Sequence, residues 1–450
     1  MRVAIVGVKK QGREHLRYFS NIEGVRIVAI CDCDTQWIDP IEAQIKNNNM
    51  SVKIYTDYRK LLEDKQIDAV ILPIPDHLHA LYTIWACQAG KDVYVEKPTS
   101  WSIWEGRKMV EAQAKYNQIV CVGSQERSDT GLIEFAEYLK ENSSALGAIQ
   151  HIHCISYSQR QSIGKVTGPQ PIPETCNYDL FQGPAPMKPL MRTNLHYDWH
   201  WCWDTGTGEM GNLGGHVLDD SRWMTGLEKA APAAISLGGR FGYNDDGETP
   251  NVHITYYDYK PYPVIYEIRG LSQGGMGFRA MGNYRGTNFG LVIQFESGYF
   301  VGGRGGGWLY DNDGKRVKQF VGDGGGTHTA NFIQAVRSRK MSDLRAPIIQ
   351  GHLSATLCHQ GNISYRLGHR MTVEGAKSEV SDYPVLAESF DRFVQYITEA
   401  GVDLNQTPVR LGPRLEFDTE QEKFTGEYSD MANMFLKRNY RPPYVIPDTV

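Results

Sequence analysis

A chain of 450 residues exceeds what one ordinary core organises and points to two domains. With 41% hydrophobic and 22% charged residues, the balance is that of a globular protein, not of a disordered or fibrous one. A formal net charge of -5 supplies no broad cationic field, which excludes nucleic acid and anionic membrane as expected partners and leaves small molecules.

The N-terminus enters a strand at once, Val3–Val6, followed by a helix from about Arg13, a strand Val25–Cys31, a helix near Trp37–Asn47 and a strand Asp68–Leu72. The alternation continues through Leu81–Ala89, Asp92–Val95, Ile103–Tyr116 and Ile119–Val122, which predicts a doubly wound parallel sheet covered by helices. No basic region with a long apolar stretch stands at the start, and no apolar run approaches the ~20 residues that span a bilayer. The expected location is therefore the cytoplasm, with the periplasm as alternative had an export leader been removed. Eight cysteines are scattered without C-x-x-C spacing, so free, buried thiols in a reducing compartment are expected. After Ser128 come a helix near Leu132–Glu141 and a strand His151–Tyr157, then a loop rich in Gly, Pro and Asn. Strands follow at Ala234–Leu237, Val252–Tyr257, Val264–Leu271, Leu291–Glu296 and Gly298–Gly302, and predict an antiparallel sheet. Helices return at His328–Ser338 and His352–Leu367. The Pro- and Tyr-rich end from Arg438 reads as an arm or strap.

The loop Gly7-Val8-Lys9-Lys10-Gln11-Gly12 sits after the first strand and before the first helical pattern. In a G-x-G-x-x-G turn the first Gly permits the tight turn, the second lets backbone approach a pyrophosphate, and the third lets helix pack on strand. Here Lys9 holds the second place, and an ordinary strand-to-helix turn is the alternative. Asp32 closes the second strand 20 residues beyond Gly12, where a carboxylate accepts from ribose hydroxyls and repels a 2′-phosphate. With Asp34 nearby and no Arg directly after the strand, NAD is predicted over NADP.

Two polar segments fall at strand ends, the edge where such folds bind ligands. In the first, Pro75-Asp76-His77-Leu78-His79, each histidine taken singly reads as a solvated loop residue. In the second, Glu96-Lys97-Pro98, a lysine held at the strand edge can polarise a hydroxyl or carbonyl. Between Trp199 and Trp223 lies the most unusual stretch. A helix over Asn212–Arg222 would put Asn212, His216 and Asp219 or Asp220 on one face, with His216 suited to take a hydroxyl proton. The tryptophans serve either as walls for a sugar ring or as core. His196 and His200 have i, i+4 spacing, but no third ligand stands at fixed spacing, so no metal is predicted. There is no G-x-S-x-G elbow and no Walker loop.

Taken in order, Gly7 to Gly12, Asp32, Pro75-Asp76-His77, Glu96-Lys97-Pro98, Gly123-Ser124-Gln125 and Asn212-x-x-x-His216 resemble the glucose-fructose oxidoreductase and inositol dehydrogenase family, Gfo/Idh/MocA, from end to end. The segments 177–186, 199–223, 327–332 and 361–366 look like a subgroup common in glycan-degrading bacteria. The resemblance implies an α/β fold: a Rossmann domain over residues 1–125, then an α+β domain over 126–450 built on a large, mainly antiparallel open sheet. That second domain would carry the substrate site, a C-terminal arm and the interface of a homo-oligomer, dimer or tetramer. The resemblance also implies nucleotide contacts at Gly7, Lys9, Lys10, Gln11, Gly12, Asp32, Pro75, His77, His79, Glu96, Lys97 and Gln125. It implies that Lys97 orients the reacting oxygen and that His216 is the general acid/base. Asn212 stands where many members carry an aspartate that assists the histidine. An amide takes up no proton, so any relay runs through His216 with Lys97, or through Asp219 or Asp220. Arg160, Lys165, Tyr197 and His200 join Lys97, Asn212 and His216 as expected sugar contacts.

The function so implied is hydride transfer between NAD and a hydroxyl or keto carbon of a sugar, glycoside or cyclic polyol, at C3 in several relatives. The first rival is an NAD-dependent glycosidase working by transient oxidation, elimination, addition and reduction. Such members look different at Glu96-Lys97-Pro98, and retention of Lys97 favours the dehydrogenase. The second rival is a non-catalytic sugar- or nucleotide-binding relative, suggested by Lys9 and Asn212 together.

Overall fold

In the computed structural model, which describes residues 1–47, 52–271 and 281–450, six short strands alternate with helices from the first residues on. They are β1 (Arg2–Val6), α1 (Lys10–Ser20), β2 (Arg26–Cys31), α2 (Thr35–Asn47), β3 (Lys53–Tyr55), α3 (Tyr58–Glu63), β4 (Ala69–Leu72), α4 (Asp76–Gln88), β5 (Asp92–Val95), α5 (Ile103–Tyr116) and β6 (Val120–Val122). The sheet has order β3-β2-β1-β4-β5-β6 and every pair is parallel. β4 and β5 are buried at every residue, as a sheet covered on both faces requires. The strand order reverses between β1 and β4, so the ligand edge lies at the ends of those two strands.

Helices α1 and α4 start earlier than the sequence pattern predicts, as does the helix expected from His352, which begins at Ile348. α1 begins at Lys10, which takes Lys10–Gly12 out of the loop. α4 begins at Asp76 because Pro75 supplies an extended N-cap (φ -61, ψ 150) and Asp76 adds a carboxylate in the first turn. The polar segment expected as a loop is thereby a buried first helical turn.

The second unit begins with α6 (Thr130–Glu141) and α7 (Ser143–Leu146), then β7 (Ile149–Tyr157), a long connection holding α8 (Tyr178–Gln182), and the pair α9 (Gly208–Asn212) and α10 (Gly214–Thr225). Strands β8 (Ala233–Gly239), β9 (Val252–Tyr257), β10 (Val264–Arg269), β11 (Phe289–Phe295), β12 (Gly298–Gly303), β13 (Gly306–Asp311) and β14 (Arg316–Val321) follow, then α11 (His328–Ser338) and α12 (Ile348–Leu367). β15 (His369–Met371), β16 (Val409–Leu411), β17 (Leu415–Asp418) and β18 (Lys423–Thr425) complete a 12-stranded sheet of main order β14-β13-β12-β11-β7-β10-β9-β8-β16-β15. Among the described residues only the β7–β10 pair of this sheet is parallel, so the sheet is mainly antiparallel and open. The helix expected over Asn212–Arg222 is broken at Leu213, where α9 ends and α10 begins.

The first core does not close on its own segment. Phe332, Ile333 and Val336 of α11, together with Tyr444, Ile446 and Val450 of the chain's end, pack into it. Arg441 and the Tyr444 hydroxyl both bond to the Asp179 carboxylate at 2.6 Å, fastening that end to α8. All eight cysteines are free thiols.

Candidate active site

A cleft of about 580 Å³ opens at the ends of β1, β4 and β5 and is closed from the other side by the connection after β7 and by α9 and α10. At its floor Gly7 turns with φ +87, and a Cβ there would lie 2.7 Å from the Pro73 carbonyl oxygen. A Cβ on Gly12 would lie 2.0 Å from the Gly7 carbonyl oxygen, so neither position accepts a side chain. Lys9, at the second glycine position, has ordinary φ -71, and its amine stands 4.7 Å from the Trp37 ring centroid. α1 starts without a side-chain cap, leaving its first N–H groups and positive dipole end for an anion. Asp32 accepts from the Val8 and Asp34 N–H groups at 2.9 and 3.1 Å. Burial pushes its pKa up to about 6 against those two donors. A cradle that any Cβ would fill, an uncapped helix start and a carboxylate at the end of β2 together fit a dinucleotide.

Glu96 is the hub of the next layer. One of its carboxylate oxygens faces His15 Nε2 at 2.8 Å and accepts from Gln11 and Gln125 amides at 3.2 Å each. Burial alone would raise its pKa, but the His15 hydrogen bond and the charges of His15 and Lys97 outweigh burial and bring it to about 2. Beside it, Lys97 Nζ donates to the Asn212 carbonyl oxygen at 2.6 Å and to Asn212 Oδ1 at 3.1 Å. Burial lowers the lysine's pKa, opposed by Glu96, Asp76 and Glu209. The Asn212 amide donates in turn to Glu209 at 3.3 Å, and Glu209 is clasped by Arg160 at 2.7 and 3.1 Å. Arg160, Glu209, Asn212 and Lys97 therefore form one continuous polar chain. His216, from the first turn of α10, also lines the cleft; its Nδ1 stands 3.8 Å from Glu126 Oε2, and burial lowers its pKa.

Gly7, Lys9, Lys10, Gln11, Gly12, Asp32, Pro75, Glu96, Lys97, Gln125, Arg160, Tyr197, His200, Asn212 and His216 all line this cleft. His77 and His79 do not. Both are buried, with His77 nitrogens at the Thr205 and Phe181 carbonyls (3.1 and 2.8 Å) and His79 nitrogens at the Pro98 and Ile74 carbonyls (2.7 and 2.8 Å). Their imidazoles bind loops together and offer a nucleotide nothing. Lys165 is exposed and bonds to Asn244 at 2.9 Å, away from the cleft. Asp219 is held by Arg127 at 2.7 and 2.9 Å and by Ser354 at 2.7 Å, so it is a structural ion pair and no relay. His196 and His200 do not converge: His196 Nε2 meets Asp34 at 2.7 Å, whereas His200 stacks on Trp199 at 3.6 Å between ring centroids. Sequence reasoning missed His15, Glu126 and Glu209. Glu209 sits three residues before Asn212 in a helix, a legible signal; His15 and Glu126 reach the site only through tertiary packing.

Fold and site define a two-domain dinucleotide-binding protein. A model for an oxidoreductase family with an NAD-binding Rossmann fold matches residues 1–124, and one for the same family's C-terminal alpha/beta domain matches residues 155–261. The chain belongs to this family, Gfo/Idh/MocA. Inositol 2-dehydrogenase of Salmonella paratyphi B is 28% identical over 182 residues, 40% of this chain and 52% of the relative, so the chain spans about half the length of that relative. A glycosyl hydrolase family 109 protein of a Shewanella species is 34% identical over 116 residues, 25% of each chain. Among solved structures, levoglucosan dehydrogenase in complex with NADH superposes with TM-score 0.60 at 15% identity, covering 80% of this chain and 95% of that one. The WlbA dehydrogenase of Bordetella pertussis in complex with NADH and UDP-GlcNAcA gives 0.59 at 16%, covering 81% and 96%. Among the described residues, no helix is long and apolar enough to cross a membrane.

Proposed function

We propose that this protein is an NAD-dependent oxidoreductase that moves a hydride between the cofactor and a hydroxyl or keto carbon of a sugar, glycoside or cyclic polyol. The observation that carries the reading is the convergence of Lys97, Asn212 and His216 in the same cleft as the Gly7–Gly12 cradle. When bound, the dinucleotide supplies the hydride acceptor. Lys97, anchored on Asn212, holds and polarises the substrate oxygen; its lowered pKa makes the ammonium a readier proton partner. His216 takes the hydroxyl proton. Asn212 takes up none and serves to aim the lysine. Arg160, Tyr197 and His200 stand on the far wall of the cleft, suited to sugar hydroxyls, with Trp199 as an apolar surface.

Asp32, with no 2′-phosphate partner beyond Lys9 and Lys10, supports NAD over NADP. A division into a cofactor domain over 1–125 and a substrate domain over 126–450 is supported by the change from the parallel sheet to the mixed one. Assembly as a homo-oligomer through the open sheet is supported by the exposed Val317 and Val321 on edge strand β14. The glycosyl hydrolase relatives keep a hydrolytic reading in play. One assay separates the two: incubation with NAD or NADP and a panel of sugars, nitrophenyl glycosides and polyols, following 340 nm absorbance and aglycone together. Reduced nucleotide without aglycone supports the dehydrogenase; aglycone without net reduced nucleotide overturns it.

A further inference from the structure

α10 presents His216 and Asp220 one turn apart, and the chain just after β6 brings Glu126 against both. Glu126 Oε2, both Asp220 oxygens and His216 Nδ1 are buried, and none has a hydrogen-bond partner of normal geometry among the described residues. Two apposed buried carboxyls cannot both stay ionised, because each charge is desolvated and repels the other. Burial and the neighbouring Glu126 raise the Asp220 pKa well above the usual range. The cations within reach are committed elsewhere: Arg127 to Asp219 and Lys97 to Asn212. The other charges that bear on His216 are Glu96 and Arg304, and on Asp220 they are Asp219 and Arg127.

We propose that Glu126 is the carboxylate that positions His216, with Asp220 as the neutral acid that holds Glu126 in place. The Asp220 O–H donates to Glu126, and Glu126 faces the Nδ1–H of His216, which leaves Nε2 as the base in the cleft. The 3.8 Å separation of Nδ1 from Glu126 Oε2 is about 1 Å longer than a normal hydrogen bond, the loose geometry that catalytic pairs have before substrate tightens them. The arrangement supplies the negative charge that Asn212 lacks. The role so assigned rests on the dehydrogenase reading. The substrate O–H proton passes to Nε2 as the hydride leaves the same carbon for the bound oxidised dinucleotide; the imidazolium so formed is stabilised by Glu126, and its proton returns to solvent after the keto product departs. The shared proton of Glu126 and Asp220 never leaves.

The test uses the full chain labelled with ¹⁵N,¹³C-histidine, with the His216 signal assigned by its loss in His216→Gln. In the unmodified protein, ¹⁵N shifts must report the Nδ1–H tautomer; an Nε2–H tautomer overturns the proposal without any measurement of activity. In Glu126→Gln, removal of the negative charge lowers the His216 pKa by about one unit or more and cuts kcat at least tenfold with KM within threefold. Addition of Asn212→Asp to that variant restores part of kcat. A His216 titration and kcat unchanged in Glu126→Gln sink the idea. If no substrate of the panel turns over, the dehydrogenase reading fails by itself, while tautomer and titration still decide the role of Glu126.

Discussion

Lys97→Met separates catalysis from stability. The methionine keeps the volume of the stem, so no cavity opens. Two charge-assisted bonds to Asn212, at 2.6 and 3.1 Å, are lost, each worth about 1.5–3 kcal/mol. Against this, the variant no longer desolvates an ammonium, a penalty of several kcal/mol for a buried ion that is visible in the lowered pKa of Lys97. Glu96 keeps His15 as partner. The two effects nearly cancel, and the net change in stability is expected within about 2 kcal/mol, a melting shift of no more than about 5 °C. Turnover loses the group that polarises the substrate oxygen and should fall about 10²- to 10⁴-fold. Melting by circular dichroism, NADH fluorescence and the 340 nm assay measure the three quantities on one preparation. A variant that binds NADH, melts normally and retains activity within tenfold of the unmodified protein would refute the assigned role.

Affinity for NADH should rise with pH through about 6 and then level, because the ionised Asp32 is the ribose acceptor and its pKa is raised to about 6 by burial; Asp32→Asn should flatten the curve and narrow the preference over NADPH, both read by fluorescence titration. The same group acts oppositely on the free protein. A folded-state pKa above the ordinary carboxylate value means that the folded state binds more protons in that window, so Asp32's contribution to stability declines as pH rises towards about 6, a decline that urea unfolding of Asp32→Asn should lack. Gly12→Ala, whose Cβ would lie 2.0 Å from a backbone oxygen, should displace the loop and weaken NADH binding at least tenfold; unchanged binding by calorimetry would count against the cradle. Arg127→Met leaves Asp219 buried with only Ser354 and the more distant Arg222, at 3.9 Å, and should cost about 3–5 kcal/mol, a fall in Tm on the order of 10 °C that Asp219→Leu in the same chain reverses.

Much of this architecture is legible in the amino-acid order because it is local. Strands β1, β2, β4 and β5 are short apolar runs at regular spacing, and the Gly7–Gly12 turn and Asp32 follow from their places at strand ends. Short or polar strands were not legible: β3 and β15 have three residues each, and β14 carries Arg316, Lys318 and Gln319 on a sheet edge, where pairing and not hydrophobic pattern makes the strand. In the site, the histidines of Pro75-Asp76-His77-Leu78-His79 read singly as solvated loop residues, and only the family resemblance implies that they touch a nucleotide. The Pro75 cap instead starts a helix and turns both rings inward onto carbonyls. Glu126 and His15 were invisible for the opposite reason, since their partners lie 90 and 81 residues away in the sequence (His216 and Glu96). The split at Leu213 separates Asn212 from His216, and tertiary packing returns these two to one cleft, while Asp219, expected on the same helix face, is tied to Arg127 instead.

The most direct test of hydride transfer is a single turnover of the full chain with NAD and glycosides carrying deuterium at each ring carbon in turn, with the nucleotide read by mass spectrometry. The account predicts one carbon whose deuterium appears in the reduced nucleotide at one atom per molecule, and no transfer in His216→Ala. Release of aglycone with every deuterium kept in the sugar and no reduced nucleotide would contradict it.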